Sequence, residues 1–235
     1  MNAPERPIPH AAVAPALPDL FTSAGAADPY AGEPISLAAG AVVIRGLAEP
    51  HAARLLADLD RVLDAAPPRH LVTPGGFRMS VAMSNCGTAG WVSDASGYRY
   101  DAVDPDSGRR WPAMPVSFRE LAQRAADEAG YRGFAPDACL IGRYEPGARL
   151  TLHQDRDEQD LDQPIVSVSL GLPAVFLFGG LKRAVRAVRV PVTHGDVVVW
   201  GGPARLSYHG VLTLADGLHP LTGRCRFNLS FRRAG

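Results

Sequence analysis

The chain has 235 residues, of which 46% are hydrophobic and 20% are charged, and its formal net charge is zero. A chain of this length and composition can bury one substantial core, which favours one globular domain over two. Zero net charge excludes the long-range field that draws strongly basic proteins onto polyanions, so any contact with nucleic acid depends on a local basic patch.

The segment Met1–Pro34 is crowded with Pro and Ala and lacks the basic start and continuous apolar run of a signal peptide. Its composition predicts a disordered tail at 1–34, followed by a single domain at 35–235. No later stretch approaches the ~20 continuous apolar residues of a membrane-spanning helix, so we expect no membrane contact.

Two amphipathic helices are predicted next. Apolar residues recur at helical spacing over 49–66, and Pro67–Pro68 ends the pattern. A second helix is predicted from Ser117 to Gly130, because Glu120 follows Ser117 at capping-box spacing. Both helices are expected to pack as layers against the core.

The segment 73–100, between the helices, is rich in Gly, Ser, Met and aromatic residues, and we predict a lid within 67–110. After Gly130, short β-rich runs alternate with turns, which is typical of a sandwich or jelly roll. The predicted strands are Cys139–Tyr144, Ile165–Leu170, Ala174–Phe178, Val197–Trp200 and Cys225–Phe231.

The cysteines Cys86, Cys139 and Cys225 are odd in number and form no CxxC pair. This pattern argues against a disulfide framework and against a cysteine-built zinc site. It favours a reducing compartment, so we expect the protein in the cytoplasm.

Three side chains form a candidate metal site. His153 and Asp155 are two residues apart, so in an extended chain both point to one face. Taken alone, such a triplet is more often a pair in a surface loop. His209 lies several strands later and supplies a second imidazole, and two imidazoles with one carboxylate form the facial triad that leaves open positions on Fe(II).

The last predicted strand has one polar face and one apolar face. An ordinary half-buried strand alternates in the same way, but two arginines on the polar face suit the fork-shaped binding of a dicarboxylic acid. The polar residues are Arg226, Asn228, Ser230 and Arg232, and the apolar residues are Phe227, Leu229 and Phe231.

Several further runs carry a family resemblance, namely Val72–Gly76, Met79–Gly87, Pro136–Leu140, Arg143–Tyr144, His153–Glu158, Ile165–Gly171 and His194–Gly202. They resemble the bacterial AlkB family of Fe(II)- and 2-oxoglutarate-dependent dioxygenases, over roughly residues 37–235. Several of these runs are specific to AlkB rather than to oxygenases at large. The resemblance implies an α+β, mainly β fold, with a double-stranded β-helix (jelly roll) core, flanking helices and a nucleotide-recognition lid.

The resemblance implies that His153, Asp155 and His209 hold Fe(II) and act in catalysis, with 2-oxoglutarate and dioxygen as cosubstrates. The implied cosubstrate-binding residues are Tyr144, Arg226, Asn228 and Arg232. Among them, Arg226 with Tyr144 would grip the distal carboxylate of 2-oxoglutarate, and Arg232 would lie nearer the metal-bound end.

The resemblance also implies a pocket for a damaged base. Trp91 and His153 would sandwich the flipped base, and Asp157 would face its exocyclic amino group. Without the resemblance, the methionines and Trp91 would more often be core residues than substrate contacts. The implied substrate-binding residues are Thr73, Met79, Ser80, Met83, Trp91, Tyr98, Asp157 and Arg183.

The implied reaction is oxidative demethylation of bases such as 1-methyladenine and 3-methylcytosine, in which 2-oxoglutarate decarboxylation is coupled to methyl hydroxylation and formaldehyde release. Because a methyl group inside a duplex is out of reach, we expect single-stranded or base-flipped DNA as the partner, with RNA a further candidate, and a monomeric enzyme. Basic residues that could track the phosphates are Arg149, Arg156, Lys182, Arg183, Arg186 and Arg189.

Three positions depart from the family pattern: Gly142 stands where Asn is usual, Phe77 where Tyr is usual and Leu177 where Gln is usual. They leave cosubstrate affinity and base preference open. The alternatives are a 2-oxoglutarate oxygenase acting on a protein or small molecule, a non-catalytic jelly-roll binding module, and a hydrolytic zinc site. The zinc site is disfavoured because it gives no function to Arg226 and Arg232 on the last strand.

Overall fold

The computed structural model describes residues 34–235, so the tail predicted at 1–34 lies, apart from Pro34, outside the described residues. Within this range no helix is long and apolar enough to cross a membrane.

The helices are two 3-10 turns, Glu49–His51 and Gly202–Ala204, and two α-helices, α1 (Ala52–Ala65) and α2 (Val116–Glu128). The strands are β1 (Ile35–Ala38), β2 (Ala41–Ile44), β3 (Arg69–Val72), β4 (Arg78–Gly87), β5 (Gly90–Asp94), β6 (Gly97–Asp101), β7 (Ala138–Tyr144), β8 (Leu150–His153), β9 (Ile165–Gly171), β10 (Ala174–Phe178), β11 (Val188–Val192), β12 (Val197–Trp200), β13 (His209–Val211) and β14 (Arg226–Arg232).

Two antiparallel sheets face each other. The larger has the order β1-β2-β12-β9-β14-β7-β4-β3, and the smaller has the order β11-β10-β13-β8. Strands β5 and β6 pair with each other as a separate hairpin. This architecture confirms the predicted jelly roll with flanking helices, and all five strands predicted from the sequence are present with ends shifted by at most one residue.

The outer face of the larger sheet is covered by the two helices. Leu55 and Leu59 of α1 and Phe118 of α2 share one buried cluster with Val168 of β9 and Leu229 of β14. Each of these side chains is fully buried, and burial of one such side chain contributes about 1.5–3 kcal/mol. The helices therefore hold the larger sheet from outside and leave its inner face for the site.

The inner face of the larger sheet is polar at its centre. The alternation of β14 places Arg226, Asn228 and Arg232 on this face, where they line a cavity between the sheets. Ser167 of the neighbouring β9 lines the same cavity. The polar face that the sequence showed on the last strand is thus the floor of an internal site.

The first predicted helix is confirmed, as a 3-10 turn continuing into α1. The capping box predicted for the second helix is wrong. The N-cap is Pro115, and Ser117 lies inside α2, where its buried hydroxyl donates a hydrogen bond to Asp58 of α1. The local pattern assigned the Ser117 hydroxyl to the N-cap, but in the structure this hydroxyl bonds to a residue of the other helix instead.

The predicted lid at 67–110 is divided by the structure. Its strand β4 belongs to the larger sheet, where it pairs with β7 from Ala82 opposite Arg143 to Gly87 opposite Ala138. The turn between β3 and β4 and the hairpin β5–β6 remain beside the cavity. These two parts, together with the start of β4 at Arg78–Val81, are candidates for the lid, which stays a prediction.

Candidate active site

The three predicted metal ligands converge at one end of the smaller sheet. His153 ends β8, His209 begins β13, and the two residues are direct partners in the register of these strands. The Nε2 atoms of His153 and His209 lie 3.4 Å and 3.7 Å from Oδ1 of Asp155. The ligand atoms of all three lie within 4.8 Å of one another, so this group could hold one metal ion.

Both imidazoles are oriented by backbone carbonyls. Nδ1 of His153 lies 2.9 Å from the carbonyl oxygen of Thr151, and Nδ1 of His209 lies 3.0 Å from that of Ser207. Because a carbonyl can only accept, each Nδ1 must carry the proton, which leaves the lone pair on Nε2. An imidazole held in this way presents Nε2 to a metal ion.

Asp155 is held by Arg232 through the oxygen that faces away from the imidazoles. Nε and Nη2 of Arg232 donate to Oδ2 of Asp155 at 2.9 Å and 2.5 Å. Burial alone would raise the pKa of Asp155, but Arg232 and both imidazoles outweigh it and hold that pKa well below its usual range. Burial, followed by the neighbouring His153, lowers the pKa of His209 to about 4. At neutral pH the site therefore offers an ionised carboxylate and a neutral His209.

Arg226 is buried without a full set of partners. Its side chain is 2% exposed, its Nη2 donates to Oγ of Ser169 at 3.0 Å, and its guanidinium lies 4.9 Å from the ring centroid of Tyr144. Within residues 34–235, its Nε and Nη1 have no hydrogen-bond partner. Two unpaired donor nitrogens on a buried cation are a ready site for a carboxylate group.

One cavity of about 760 Å³ connects the metal ligands with Arg226. It is lined by every metal, cosubstrate and substrate residue predicted from the sequence. Asn228, between the two arginines on β14, donates from Nδ2 to Oγ of Ser167 and to the carbonyl oxygen of Val168.

Comparison with known proteins identifies the family. Residues 40–232 match the 2OG-Fe(II) oxygenase superfamily. The chain is 57% identical over 217 residues to the alpha-ketoglutarate-dependent dioxygenase AlkB of Escherichia coli (strain K12), covering 92% of this chain and 98% of that protein. It is 32% identical over 121 residues to the nucleic acid dioxygenase ALKBH1 of Mus musculus, covering 52% of this chain and 31% of that protein. The solved structure of OsALKBH1 superposes with a TM-score of 0.75 at 25% identity, covering 86% of this chain and all of that one.

The chain belongs to the AlkB dioxygenases of this superfamily. It is therefore an Fe(II)- and 2-oxoglutarate-dependent dioxygenase, which confirms the predicted cofactors Fe(II), 2-oxoglutarate and dioxygen. The residues present fit these groups, since the triad has the donor set of a non-haem iron site and, among the described residues, nothing pairs with Nε and Nη1 of Arg226, which suit a carboxylate.

The hairpin β5–β6 brings aromatic side chains to this AlkB-type cavity. The rings of Trp91 and Tyr98 stack at 5.5 Å between centroids with 13° between their planes. Nε1 of Trp91 donates to Oδ2 of Asp157 at 2.8 Å. Asp157 follows the candidate metal ligand Asp155 by two residues, so this bond joins the hairpin to the candidate metal-binding segment.

The other predicted substrate residues are anchored around the cavity. Oγ of Ser80 donates to the carbonyl oxygen of Arg149 at 2.9 Å, and Oγ1 of Thr73 accepts from the backbone N–H of Phe77 at 3.1 Å. Nη1 of Arg183 donates to the carbonyl oxygen of Leu152 at 2.8 Å.

The two methionines differ in burial. Met83 is 5% exposed and belongs to the core, whereas Met79 is half-buried at its edge. Both line the cavity.

The three departures from the AlkB pattern have different consequences. A Cβ on Gly142 would lie 3.1 Å from Cε2 of Tyr144, so the tyrosine ring occupies the space beside this glycine. Phe77 is 76% exposed and lines the mouth of the cavity. Phe176, rather than Leu177, lines the cavity from β10, so the change at Leu177 lies outside its wall.

Sequence reasoning assigned no role to three residues that surround the candidate metal ligands. Glu158, Arg205 and Tyr100 form a buried network with Arg232. A charged residue in a polar run such as 154–160 is ordinarily solvated, so no local pattern distinguishes Glu158 from its neighbours.

Proposed function

We propose that this AlkB-type dioxygenase oxidatively removes methyl groups from N-alkylated bases, such as 1-methyladenine and 3-methylcytosine, in single-stranded or base-flipped DNA and in RNA. The observation that carries the proposal is one cavity in which three features meet: the metal triad, the guanidinium of Arg226, whose Nε and Nη1 lack partners within residues 34–235, and the stacked aromatic pair of β5–β6. The name of the mouse relative, a nucleic acid dioxygenase, supports a nucleic-acid substrate.

The cofactor residues have separate tasks in this proposal. His153, Asp155 and His209 hold Fe(II), Arg226 with Tyr144 holds the distal carboxylate of 2-oxoglutarate, and Asn228 contributes to the cosubstrate site between the two arginines. Arg232 keeps Asp155 ionised and oriented from the side away from the metal. When bound, Fe(II) and 2-oxoglutarate activate dioxygen, so that decarboxylation of the 2-oxo acid is coupled to hydroxylation of the methyl group and formaldehyde is then released.

The substrate residues bind and select the base. Trp91, supported by Tyr98, offers a flat face on which an extruded base can stack, and such stacking contributes about 1–3 kcal/mol per base. In our proposal His153 covers the opposite side of the base. A methylated Watson–Crick edge already pairs poorly, which lowers the cost of extrusion.

A local basic rim supplies the contact with phosphates that a neutral protein needs. Arg78, Arg149, Arg156 and Arg183 all line the cavity that holds the metal ligands. Positive side chains around a base pocket favour a single strand laid across its mouth. We propose that the enzyme acts as a monomer in the cytoplasm, where its free thiols would stay reduced.

Formaldehyde release from a single-stranded oligonucleotide that contains one 1-methyladenine tests the proposal, with Fe(II), 2-oxoglutarate and ascorbate present. We expect one formaldehyde per succinate formed, and loss of both products in the variant His209→Ala. Unmethylated single-stranded DNA should compete with the reaction. Succinate formation without formaldehyde, unaffected by DNA, would favour a protein or small-molecule substrate instead.

A further inference from the structure

A buried network of charges surrounds the metal-binding carboxylate. Glu158 lies three residues after Asp155 and its side chain is 2% exposed. Its Oε2 lies 3.0 Å from Nη2 of Arg205, and its Oε1 lies 3.2 Å from Nε of Arg232. One carboxylate therefore pairs with two buried guanidinium groups.

The same two arginines bind Asp155, one through its side chain and the other through its backbone carbonyl group. Arg232 donates to the side-chain oxygen Oδ2, and Nη1 of Arg205 donates to the backbone carbonyl oxygen at 2.8 Å. Nε of Arg205 is fixed in turn by the carbonyl oxygen of Gln163 at 3.0 Å. The position of Asp155 therefore depends on two cations whose common partner is Glu158.

Glu158 also contacts the hairpin β5–β6, which carries the stacked rings of Trp91 and Tyr98. The hydroxyl of Tyr100, on β6, donates to Oε1 of Glu158 at 2.7 Å. Tyr100 lies opposite Trp91 in the register of the hairpin. The hairpin is thus joined to the metal-binding segment twice, at Glu158 through Tyr100 and at Asp157 through Trp91.

We propose that Glu158 is a positioning residue, which fixes the orientation of the metal ligand Asp155 through Arg205 and Arg232 and joins it, through Tyr100, to the base-binding hairpin. The inference rests on the proposed function only in that Asp155 is taken as a ligand of the metal. Without Glu158, two buried cations would face one carboxylate, and their uncompensated charge would oppose a divalent ion.

Titration of the metal-free chain with Co(II), followed by the absorption bands of the bound ion, tests this role without relying on activity. We expect Glu158→Gln to raise the Kd for Co(II) at least about tenfold and to change the band positions, as expected when an outer contact of a ligand is lost. Tyr100→Phe removes one contact to Glu158 and should raise this Kd about threefold.

The exposed Glu128, which pairs with Arg124 on α2, provides a matched control. Glu128→Gln removes the same charge from a surface pair and should leave both the Kd for Co(II) and the bands unchanged. A folded Glu158→Gln protein with a lower unfolding temperature but the wild-type Kd and bands would reduce Glu158 to a structural role and overturn the inference.

If Glu158→Gln does not fold, Tyr100→Phe becomes the test variant. A wild-type Kd for Co(II) in Tyr100→Phe would then overturn the inference. Failure of the wild-type protein to bind Co(II) would remove the metal site itself, and with it both the proposed function and this inference. Normal metal binding without formaldehyde release would contradict the proposed methylated-base substrate but not the role of Glu158.

Discussion

At the scale of single residues, Arg226 has a charge that the described protein does not fully neutralise. Burial lowers its pKa, and nearby Tyr144 opposes that change. An unpaired buried charge destabilises a fold, and replacing such a charge with an apolar side chain of similar volume is often neutral or stabilising. In the proposed function, the distal carboxylate of 2-oxoglutarate offsets this cost when it binds.

Arg226→Met should therefore leave the unfolding temperature of the ligand-free protein at or above that of the wild type, while removing stabilisation by 2-oxoglutarate. In the wild type, 2-oxoglutarate at about 100 times its Kd should stabilise the fold by about 2.7 kcal/mol. Thermal unfolding with Mn(II), in the presence and absence of 2-oxoglutarate, measures both effects. Arg224→Met, at an exposed arginine paired with Asp216, is the control and should keep the full shift; a normal shift in Arg226→Met would refute the assigned role.

Asp157 has two roles that one substitution can separate. Its Oδ2 accepts a hydrogen bond from Trp91, and its charge would attract a cationic methylated ring. Asp157→Asn retains an acceptor oxygen for Trp91 and removes only the charge. We expect kcat/KM to fall about five- to tenfold for cationic 1-methyladenine, because the side chain is exposed and its field is screened.

The neutral lesion 3-methylthymine in the same oligonucleotide is the control substrate for Asp157→Asn, and its kcat/KM should change by less than about twofold. Asp157→Ala, which also removes the acceptor for Trp91, should reduce turnover of both lesions. Equal losses on both lesions in Asp157→Asn would show that the charge does not select cationic substrates.

At the scale of elements, the two helices are joined by a buried polar contact. Asp58 of α1 accepts from the hydroxyl of Ser117 in α2, and its other oxygen accepts from Nη2 of Arg61 at 2.5 Å. Both helices cover the outer face of the larger sheet. The contact therefore fixes their mutual position against that sheet.

Ser117→Ala should reduce the free energy of unfolding by about 1–2 kcal/mol, because a buried carboxylate oxygen of Asp58 loses its donor. Urea denaturation monitored by circular dichroism measures the change. Ser96→Ala, at an exposed serine in the β5–β6 turn, is the control and should change stability by less than about 0.5 kcal/mol. A loss in Ser117→Ala no larger than in this control would show that the contact has no net effect.

At the scale of the whole molecule, two histidines join distant loops away from the metal site. The rings of His194 and His219 stack at 4.5 Å between centroids. Nδ1 of His194 accepts from the backbone N–H of Gly171 at 2.9 Å, and Nδ1 of His219 accepts from that of Leu221 at 3.3 Å. Burial lowers the pKa of both rings, and His194 lowers that of His219 further.

This pair should make stability depend on pH. Because the folded pKa values lie below the ordinary 6.5, the unfolded chain takes up protons first as the pH falls. The contribution of the pair is thus present above pH 6.5 and is lost as the pH falls through the folded pKa values. We expect His219→Gln to flatten the decline of the unfolding free energy below that pH.

Urea denaturation at a series of pH values compares the wild type with His219→Gln. His51→Gln, at an exposed histidine, is the control and should keep the wild-type slope. An identical slope in His219→Gln and the wild type would show that the stacked pair does not contribute to the pH dependence.

Much of the site was predictable from the sequence, since the order of residues along an extended strand decides which face each side chain occupies. The alternation of β14 placed Arg226 and Arg232 on one face, and the spacing of His153 and Asp155 placed both on another. The short strands β8 and β13, with four and three residues, were not predicted although they present both imidazoles, because they lack the continuous apolar run by which the equally short β12 was recognised.

Only the tertiary structure decided which of these groups are paired and which remain free for ligands. Arg232 meets Asp155 across 77 residues, Arg205 meets it across 50, and Ser117 meets Asp58 across 59. A local pattern reports neighbours within about four positions, so partners at such separations cannot be read from it. For the same reason, the sequence identified Arg226 as a candidate ligand-binding arginine, but only the packing of two sheets around it leaves its guanidinium buried, with two nitrogen atoms unpaired in the part of the chain that the structure describes.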